Sequence, residues 1–311
     1  MKRYNVESTV YQPRIPSSAM APIYYGYDSG NPLSIDLQFY QRDQRLESFR
    51  KIANEYDIVE LHEGGGFLSP YLRFTSAKRI AHFHGSELRS KTYKKRLLRV
   101  FFQLSRFDHI LLSTPDLKDL IWDKTAEVLL NPIDPLIDSI RSSDGNYVFY
   151  PTRIDEEVKG SDLVFKAWEK IQIKYPDLKL IAVRWGSDAA KYENLTKQDE
   201  HVIWLNLLNR QEYVKTLCGA SIVLGQFKSN SLGLIELEAI SAEKPVLSLN
   251  TLNTNQPETI SDESIRILED YNYKNEILKK QRNILLPYDH NRLSKQLFDV
   301  YCNVLETSVK R

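Results

Sequence analysis

The sequence contains little cysteine and no long apolar segment. Cys218 and Cys302 are its two cysteines, and they stand too far apart for a CxxC or a metal-binding spacing. We expect both to be packing residues in a reducing compartment. No run approaches the ~18 apolar residues of a membrane span, and MKRYNVESTVYQPR lacks the apolar region of a signal peptide. These absences predict a cytoplasmic protein.

Net charge is also nearly absent. The formal charge is +1 and the pI is about 7.7, which argues against nucleic-acid binding through the field of the whole chain. The hydrophobic fraction of 42% and the charged fraction of 27% are typical of a globular protein. At 311 residues, the chain is long enough for two domains.

Short apolar runs alternate with longer amphipathic segments. The predicted strands are Tyr56–Leu61, Arg79–His84, His109–Ser113, Glu127–Leu130, Tyr147–Pro151, Leu178–Val183, His201–Leu205, Ser221–Gly225 and Pro245–Leu249. The main helical segments between them are Leu163–Tyr175, Arg210–Leu217 and Gly233–Ala242. This alternation predicts an α/β protein in which helices cover parallel sheets.

The polar segment DSIRSSDGN (Asp138–Asn146) interrupts the alternation and predicts a domain boundary. We therefore expect a shortened N-terminal Rossmann-like domain over residues 1–140 and a second Rossmann-like domain over 147–290. A C-terminal helix over 291–311 is expected to pack back toward the first domain. The first 45 residues show at most one weak strand pattern.

Two cations follow the first strand of the second predicted domain. In YPTRIDEEVKG, Arg153 and Lys159 lie between that strand and a helix that begins near Ser161. Ligands of open α/β sheets bind at the carboxyl ends of strands, and two cations beside a helix start suit a diphosphate. A solvated loop, neutralised by the acids between the two cations, is the alternative.

The stretch SNSLGLIELEAISAEKPVL (Ser229–Leu247) places two carboxylates in an apolar helix. Glu236 and Glu238 are two residues apart, which separates them by ~200° around the helix axis. One of them can therefore face a ligand while the other is structural or faces solvent. A carboxylate near a phosphate-binding helix start suits ribose hydroxyls, because it accepts two hydrogen bonds. A surface position for either residue is the alternative.

The segment RIAHFHGSELRS (Arg79–Ser90) carries histidines at the end of a predicted strand. His82 and His84 are alternate residues, so both imidazoles share one face of the strand. This HxH spacing suits a metal ion, but the sequence shows no evident third ligand. We therefore predict no metal site.

The segment RSKTYKKRLLRVFFQLSRF (Arg89–Phe107) contains seven Lys or Arg residues and no acid. On a helix, its basic residues, among them Lys95, Arg96 and Arg99, form one face opposite an apolar face that includes Phe101 and Phe102. This pattern is typical of a membrane-surface helix. An ordinary domain helix with a solvated basic face is the alternative, and both stay open.

In combination and order, these motifs resemble the GT-B glycosyltransferases of family 4, which are retaining enzymes that use nucleotide-sugar donors. The resemblance covers about residues 55 to 250, and its most specific part is RxxxxxKG followed by LGLIELEA. The matching segments are DIVELHEGGG (Asp57–Gly66), HFHGSELR (His82–Arg89), HILLSTPDL (His109–Leu117), LLNPID (Leu129–Asp134), PTRIDEEVKGSDL (Pro151–Leu163) and SNSLGLIELEAISAEKPVL.

The resemblance implies a GT-B architecture, in which two Rossmann-like domains face a central cleft. It implies that Arg153 and Lys159 hold the donor diphosphate, that Glu238 binds the ribose, and that His84 reaches the transferred sugar. The further donor-binding residues that it implies are Gly233, Leu234 and Ile235 through their backbone, and Trp185, Gly186, Val202 and Leu205 around the base.

The resemblance also implies a reaction without metal or other cofactor, with retention at the anomeric carbon and a glycan or lipid-linked acceptor. Two departures matter: the N-terminal segment YQPRIPSSAMAPIYYG lacks the Gly-rich loop that follows the family's first strand, and Asn230 stands where the family has the first glutamate of an E-x7-E pair. Asn keeps hydrogen-bonding capacity but lacks the charge. A degenerate nucleotide-sugar-binding partner subunit and a GT-B epimerase therefore remain alternative functions.

Overall fold

The computed structural model describes residues 51, 53–62, 75–89, 107–121, 123, 125–140 and 142–306. The chain divides into two compact units, one formed by Ile133–Pro287 and the other by the described residues up to Pro132 together with those from Tyr288 onward. The sequence predicts the boundary at Asp138–Asn146, and the observed boundary, between Pro132 and Ile133, lies a few residues earlier. The reason is that the 3-10 turn Pro135–Ser139 packs Ile137 into the core of the second unit.

The secondary structure follows the predicted α/β alternation. The strands are β1 (Ile58–His62), β2 (Lys78–Phe83), β3 (His109–Leu112), β4 (Glu127–Val128), β5 (Tyr147–Tyr150), β6 (Lys179–Val183), β7 (Val202–Leu205), β8 (Ile222–Leu224) and β9 (Val246–Leu247). The helices are α1 (Ser86–Arg89), α2 (Glu156–Lys159), α3 (Ser161–Lys174), α4 (Ala189–Leu195), α5 (Arg210–Cys218), α6 (Leu234–Ser241), α7 (Leu249–Leu252), α8 (Pro257–Glu269), α9 (Tyr271–Arg282) and α10 (His290–Glu306).

The first unit contains a parallel sheet in the order β1-β2-β3-β4. Successive residues of its strands point to opposite faces of the sheet and therefore enter different cores. Ile80 of β2 packs with Leu293, Val300 and Val304 of α10, whereas Ala81 packs in a separate cluster. The spacing of seven and then four residues along α10 forms one apolar stripe. The C-terminal helix therefore belongs to the core of the first unit.

The second unit contains a parallel sheet in the order β7-β6-β5-β8-β9. In the order of its own strands this is 3-2-1-4-5, which is that of a Rossmann fold. The strand order reverses between β5 and β8, so the loops that follow these two strands meet at the carboxyl edge of the sheet. This topological switch point is where open α/β sheets bind ligands.

Helices cover both faces of the second sheet. Val148 and Tyr150 of β5 pack with Trp168 of α3 in one cluster, while Phe149 packs with Leu217 of α5 in another. These three residues of β5 are fully buried, as expected for a central parallel strand that is covered on both sides.

The nine predicted strands are all present, with ends that differ by one or two residues. The predicted fold class is therefore confirmed: this is an α/β protein with two parallel sheets, each in its own unit. Within the described part of the chain, no helix is long and apolar enough to cross a bilayer.

Candidate active site

The two loops at the switch point of the second unit are bonded to each other through Lys159. Its Nζ donates to Oε1 of Gln226 at 2.6 Å, and its carbonyl accepts from the backbone N–H of Phe227 at 2.8 Å. Lys159 ends α2 in the loop after β5, whereas Gln226 and Phe227 follow β8. The predicted phosphate-binding lysine is thus held against the second loop.

Arg153 lies in the same loop after β5. Its Nη2 pairs with Asp155 at 3.2 Å, and its side chain remains 39% exposed. Its Nε is buried, and among the described residues it has no hydrogen-bond partner. The guanidinium therefore has donor capacity for an anion at the carboxyl edge of the sheet.

Trp185 and Gly186, which the sequence predicts near the base, support the loop of Arg153. The indole Nε1 of Trp185 donates to the carbonyl of Pro151 at 2.9 Å, and its own carbonyl accepts from the N–H of Ile154 at 2.9 Å. Gly186 is exposed and lies against the backbone of Ile154. Both residues reach the same loop as Arg153.

Glu236 is the buried anchor of the loop between β8 and α6. It is 2% exposed, and its two carboxylate oxygens accept from the backbone N–H groups of Gln226 and Gly233, each at 3.0 Å. Of the expected roles, structural or solvent-facing, the structural role is the one observed. The carboxylate fixes the backbone that carries Gln226, and hence the partner of Lys159.

Glycines make this anchoring possible. A Cβ at Gly225 would lie 2.5 Å from Oε1 of Glu236, and a Cβ at Gly233 would lie 2.7 Å from Oε2. Any side chain at either position would displace the carboxylate. The glycine of the LGLIELEA motif is therefore explained by the close approach of Glu236 to the start of α6.

Glu238, the predicted ribose ligand, is part of a buried ion-pair network. Its Oε1 accepts from Nη2 of Arg210 at 2.7 Å, and Nε of Arg210 donates to Oδ2 of Asp134 at 2.8 Å. Burial raises the pKa of Glu238 above its ordinary value, although the bond and the charge of Arg210 act in the opposite direction. Glu238 is 5% exposed, and its side chain is also hydrogen-bonded with Tyr213.

The start of α6 presents the remaining predicted donor residues. Gly233 is the N-cap, and Leu234 and Ile235 open the helix. N–H groups at such a position bind anions, because the first turn has no intrahelical acceptors for them. Asn230 is exposed in the preceding loop, and its carbonyl accepts from Nδ2 of Asn250 at 2.8 Å.

The two residues of β7 that the sequence predicts near the base, Val202 and Leu205, lie at opposite ends of the strand. Leu205 ends the strand at the carboxyl edge and is half-buried, whereas Val202 begins the strand and is buried in the core. Val202 therefore lies at the opposite edge of the sheet from the loops of Arg153 and Gln226. Its apolar character reflects core packing, and it is not part of the candidate site.

In the first unit, His84 lies among other imidazoles at the carboxyl ends of β1 and β2. Its Nε2 is 2.9 Å from Nδ1 of His62, and its ring stacks on that of His82 with centroids 4.5 Å apart. Burial, together with the charges of His82 and His62, lowers the pKa of His84 to about 3. His84 is therefore neutral near neutral pH.

Four residues of these clusters were missed at the sequence level: Gln226, Arg210, His62 and Glu60, whose Oε1 lies 2.8 Å from Nδ1 of His82. Arg210 carried a usable signal, because a cation in the first turn of a helix opposes the helix dipole and calls for carboxylate partners. Gln226 carried no local signal, since its role depends on a bond to another loop. The predicted membrane-surface residues Lys95, Arg96, Arg99, Phe101 and Phe102 lie outside the described residues.

The model of the family named glycosyl transferases group 1 matches residues 136–295, which is just over half of the chain. The chain belongs to this family. The match to glycosyl transferases group 1 covers the second sheet and both loops of the candidate site. A comparison of the sequence with curated proteins finds no match.

Solved structures share the fold of this glycosyl transferases group 1 member. HepE of Anabaena, in complex with UDP and glucose, is similar with a TM-score of 0.69 and 14% identity, over 84% of this chain and 82% of that one. Sucrose-phosphate synthase of Thermosynechococcus elongatus is similar with a TM-score of 0.68 and 15% identity, over 88% of this chain and 84% of that one.

A third similar structure is a mutant of S. aureus TarM in complex with fondaparinux, alpha-GlcNAc-glycerol and UDP. It gives a TM-score of 0.65 and 16% identity over 82% of this chain, which spans 58% of the TarM chain. At these identities the likeness establishes a common fold, that of the GT-B glycosyltransferases.

The role of Glu236 as an anchor can be tested by unfolding. Glu236→Ala leaves two backbone N–H groups without their acceptor, and each such loss costs about 1–3 kcal/mol. We expect the free energy of urea unfolding to fall by about 2–4 kcal/mol. Glu212→Ala is the matched control, because Glu212 forms the exposed capping box of α5. It should cost about 0.5 kcal/mol, and equal effects of the two substitutions would contradict the anchor.

Proposed function

We propose that this protein transfers a sugar from a nucleoside-diphosphate sugar to a hydroxyl acceptor, and that the second unit binds the donor. The observation that carries the proposal is that Arg153 and Lys159 both lie in the loop after β5, at the switch point of a Rossmann-ordered sheet. Two cations at the edge of the sheet where α6 also begins suit a diphosphate, and membership in the glycosyl transferases group 1 family supports that ligand.

The proposed chemistry is expulsion of a nucleoside diphosphate. As the bond from the anomeric carbon to the phosphate oxygen breaks, negative charge grows on the diphosphate. Arg153 and Lys159 stabilise this charge from fixed positions, so little reorganisation is needed during the step. Because these side chains supply the positive charge, the donor reaction needs no metal ion.

The remaining donor contacts follow from the loop positions. The N–H groups of Leu234 and Ile235 bind the phosphates, and Gly233, whose own N–H is held by Glu236, lets the ligand come close to the helix start. Glu238 accepts from the ribose. Asn230 orients a hydroxyl of the sugar through its exposed amide. We assign the base to the carboxyl edge near Trp185, Gly186 and Leu205.

Uridine is the first base to test, because the similar TarM and HepE structures contain UDP. We propose a glycan or lipid-linked acceptor and retention at the anomeric carbon, both carried over from the family-4 resemblance. His84 is proposed to contact the transferred sugar as a neutral hydrogen-bonding group, as its lowered pKa requires. Cytoplasmic location and membrane contact through the basic segment rest on the sequence alone.

Donor binding predicts a thermal shift. UDP should raise the melting temperature of the wild-type protein by mass action. Arg153→Ala and Lys159→Ala should each abolish the rise, because each removes a cation from the diphosphate. The control is Lys166→Ala, which removes an exposed positive charge from neighbouring α3. A rise that persists in both site variants, or that disappears in the control, would contradict the assignment.

Transfer with retention predicts the anomeric configuration of the product. NMR of the product formed from an α-linked UDP-sugar should show an α-linked sugar. A β-linked product would refute retention while leaving donor binding intact. UDP binding without transfer or slow donor hydrolysis would instead favour the degenerate partner subunit, which the loss of the family glutamate at Asn230 motivates.

A further inference from the structure

Three of the six histidines of the chain meet in the first unit. His62 ends β1 and is paired in register with His82 of β2, while His84 follows two residues later on the same face. One ring nitrogen of each lies within 4.8 Å of the others. The parallel pairing of the two strands thus converges three imidazoles from positions 20 residues apart in sequence.

The carboxylate of Glu60 orients two of these rings. Its Oε1 is 2.8 Å from Nδ1 of His82 and 3.3 Å from Nε2 of His62. Its Oε2 accepts from the hydroxyl of Tyr301 at 2.5 Å. A side-chain hydrogen bond from Asn131 reaches His84. Each ring is therefore fixed by an outer partner, which is the usual arrangement around metal-binding histidines.

The opposite nitrogen of His82 is unsatisfied. His82 is 5% exposed, and within the described residues its Nε2 has no hydrogen-bond partner. A buried polar atom without a partner is rare, because its desolvation is uncompensated. Since Glu60 holds Nδ1 of His82, Nε2 is left to face the other two imidazoles with its lone pair.

We propose that His62, His82 and His84 form a three-histidine site for Zn²⁺, with Glu60 as the carboxylate that orients the ligands. Imidazole nitrogens suit zinc, and three protein ligands leave the fourth tetrahedral position open for water or another oxygen donor. Zn–N bonds of ~2.0–2.1 Å place the ligand nitrogens about 3.3 Å apart. The nitrogens of His62 and His84, 2.9 Å apart, therefore open slightly when the ion binds, and the nitrogen of His82 adopts about the same spacing.

This site replaces the expectation of no metal that the HxH spacing alone gave. That expectation rested on the lack of an evident third ligand, and β1 supplies it as His62. The proposed diphosphate cations belong to the second unit and the zinc ligands to the first. Because His84 is also the proposed contact of the transferred sugar, zinc binding is tested without donor.

The test is calorimetric titration of the metal-stripped, untagged full chain with ZnCl₂, in the absence of any donor. One Zn²⁺ per chain should bind. His62→Ala should abolish this binding while keeping the circular dichroism of the wild type, because the side chain of His62 is 56% exposed. His290→Ala, which removes an exposed histidine of the same unit, should bind as the wild type does.

Two further measurements distinguish an ordered three-histidine site from nonspecific binding of the metal to histidines. Glu60→Gln should weaken Zn²⁺ binding by about 10–100-fold, as loss of an orienting carboxylate does. Co²⁺ in place of Zn²⁺ should give the intense visible absorption of a tetrahedral ion, which His62→Ala should lack. No saturable binding by the wild type, or unchanged binding by His62→Ala, would overturn the proposal whatever the transferase activity.

Discussion

The carboxylate of Glu236 accepts from two backbone N–H groups, those of Gln226 and Gly233, and the geometry of the second unit's edge depends on this arrangement. The carboxylate joins the end of β8 to the start of α6 and so sets the path of the loop between them. Gln226 then meets Lys159, and Gly233 opens the helix that faces the proposed phosphates. Removing the acid would release both ends of this loop together.

Topology explains why these residues meet. Lys159 and Gln226 are 67 residues apart in sequence, yet their loops follow adjacent strands at the point where the strand order reverses. A switch point leaves a crevice between two such loops, since the helices that follow them cover opposite faces. The cations of one loop and the helix start of the other thereby lie at the same edge of the sheet, where we propose that the diphosphate binds.

The sequence predicts much of this structure because the strands are short apolar runs between polar turns. It also predicts Arg153 and Lys159, since a cation in a loop after a strand is visible in local order. It does not predict that Glu236 is buried. The helical period of 3.6 residues places Glu236 and Glu238 on different sides of the helix but does not say that both are buried. The burial of Glu236 depends on the backbone N–H groups of the loop after β8.

The same limit applies in the first unit and at β7. The HxH pair is visible on a single strand, whereas His62 and Glu60 join it only through the pairing of β1 with β2. Val202 and Leu205 belong to one apolar run, and only the direction of the strand places Leu205 at the ligand edge and Val202 in the core. Site residues that meet only through the pairing or direction of strands therefore cannot be predicted from local sequence patterns.

The central claim is that Arg153 and Lys159 bind the second phosphate of a nucleoside diphosphate. Calorimetric titration with UDP and with UMP, for the wild type and for the Arg153→Ala/Lys159→Ala double variant, measures this directly. We expect the wild type to bind UDP about tenfold or more tightly than UMP, as charge-assisted hydrogen bonds to that phosphate require. The difference should disappear in the double variant. Equal affinities for the two nucleotides in the wild type, or a difference that survives in the double variant, would contradict the central claim.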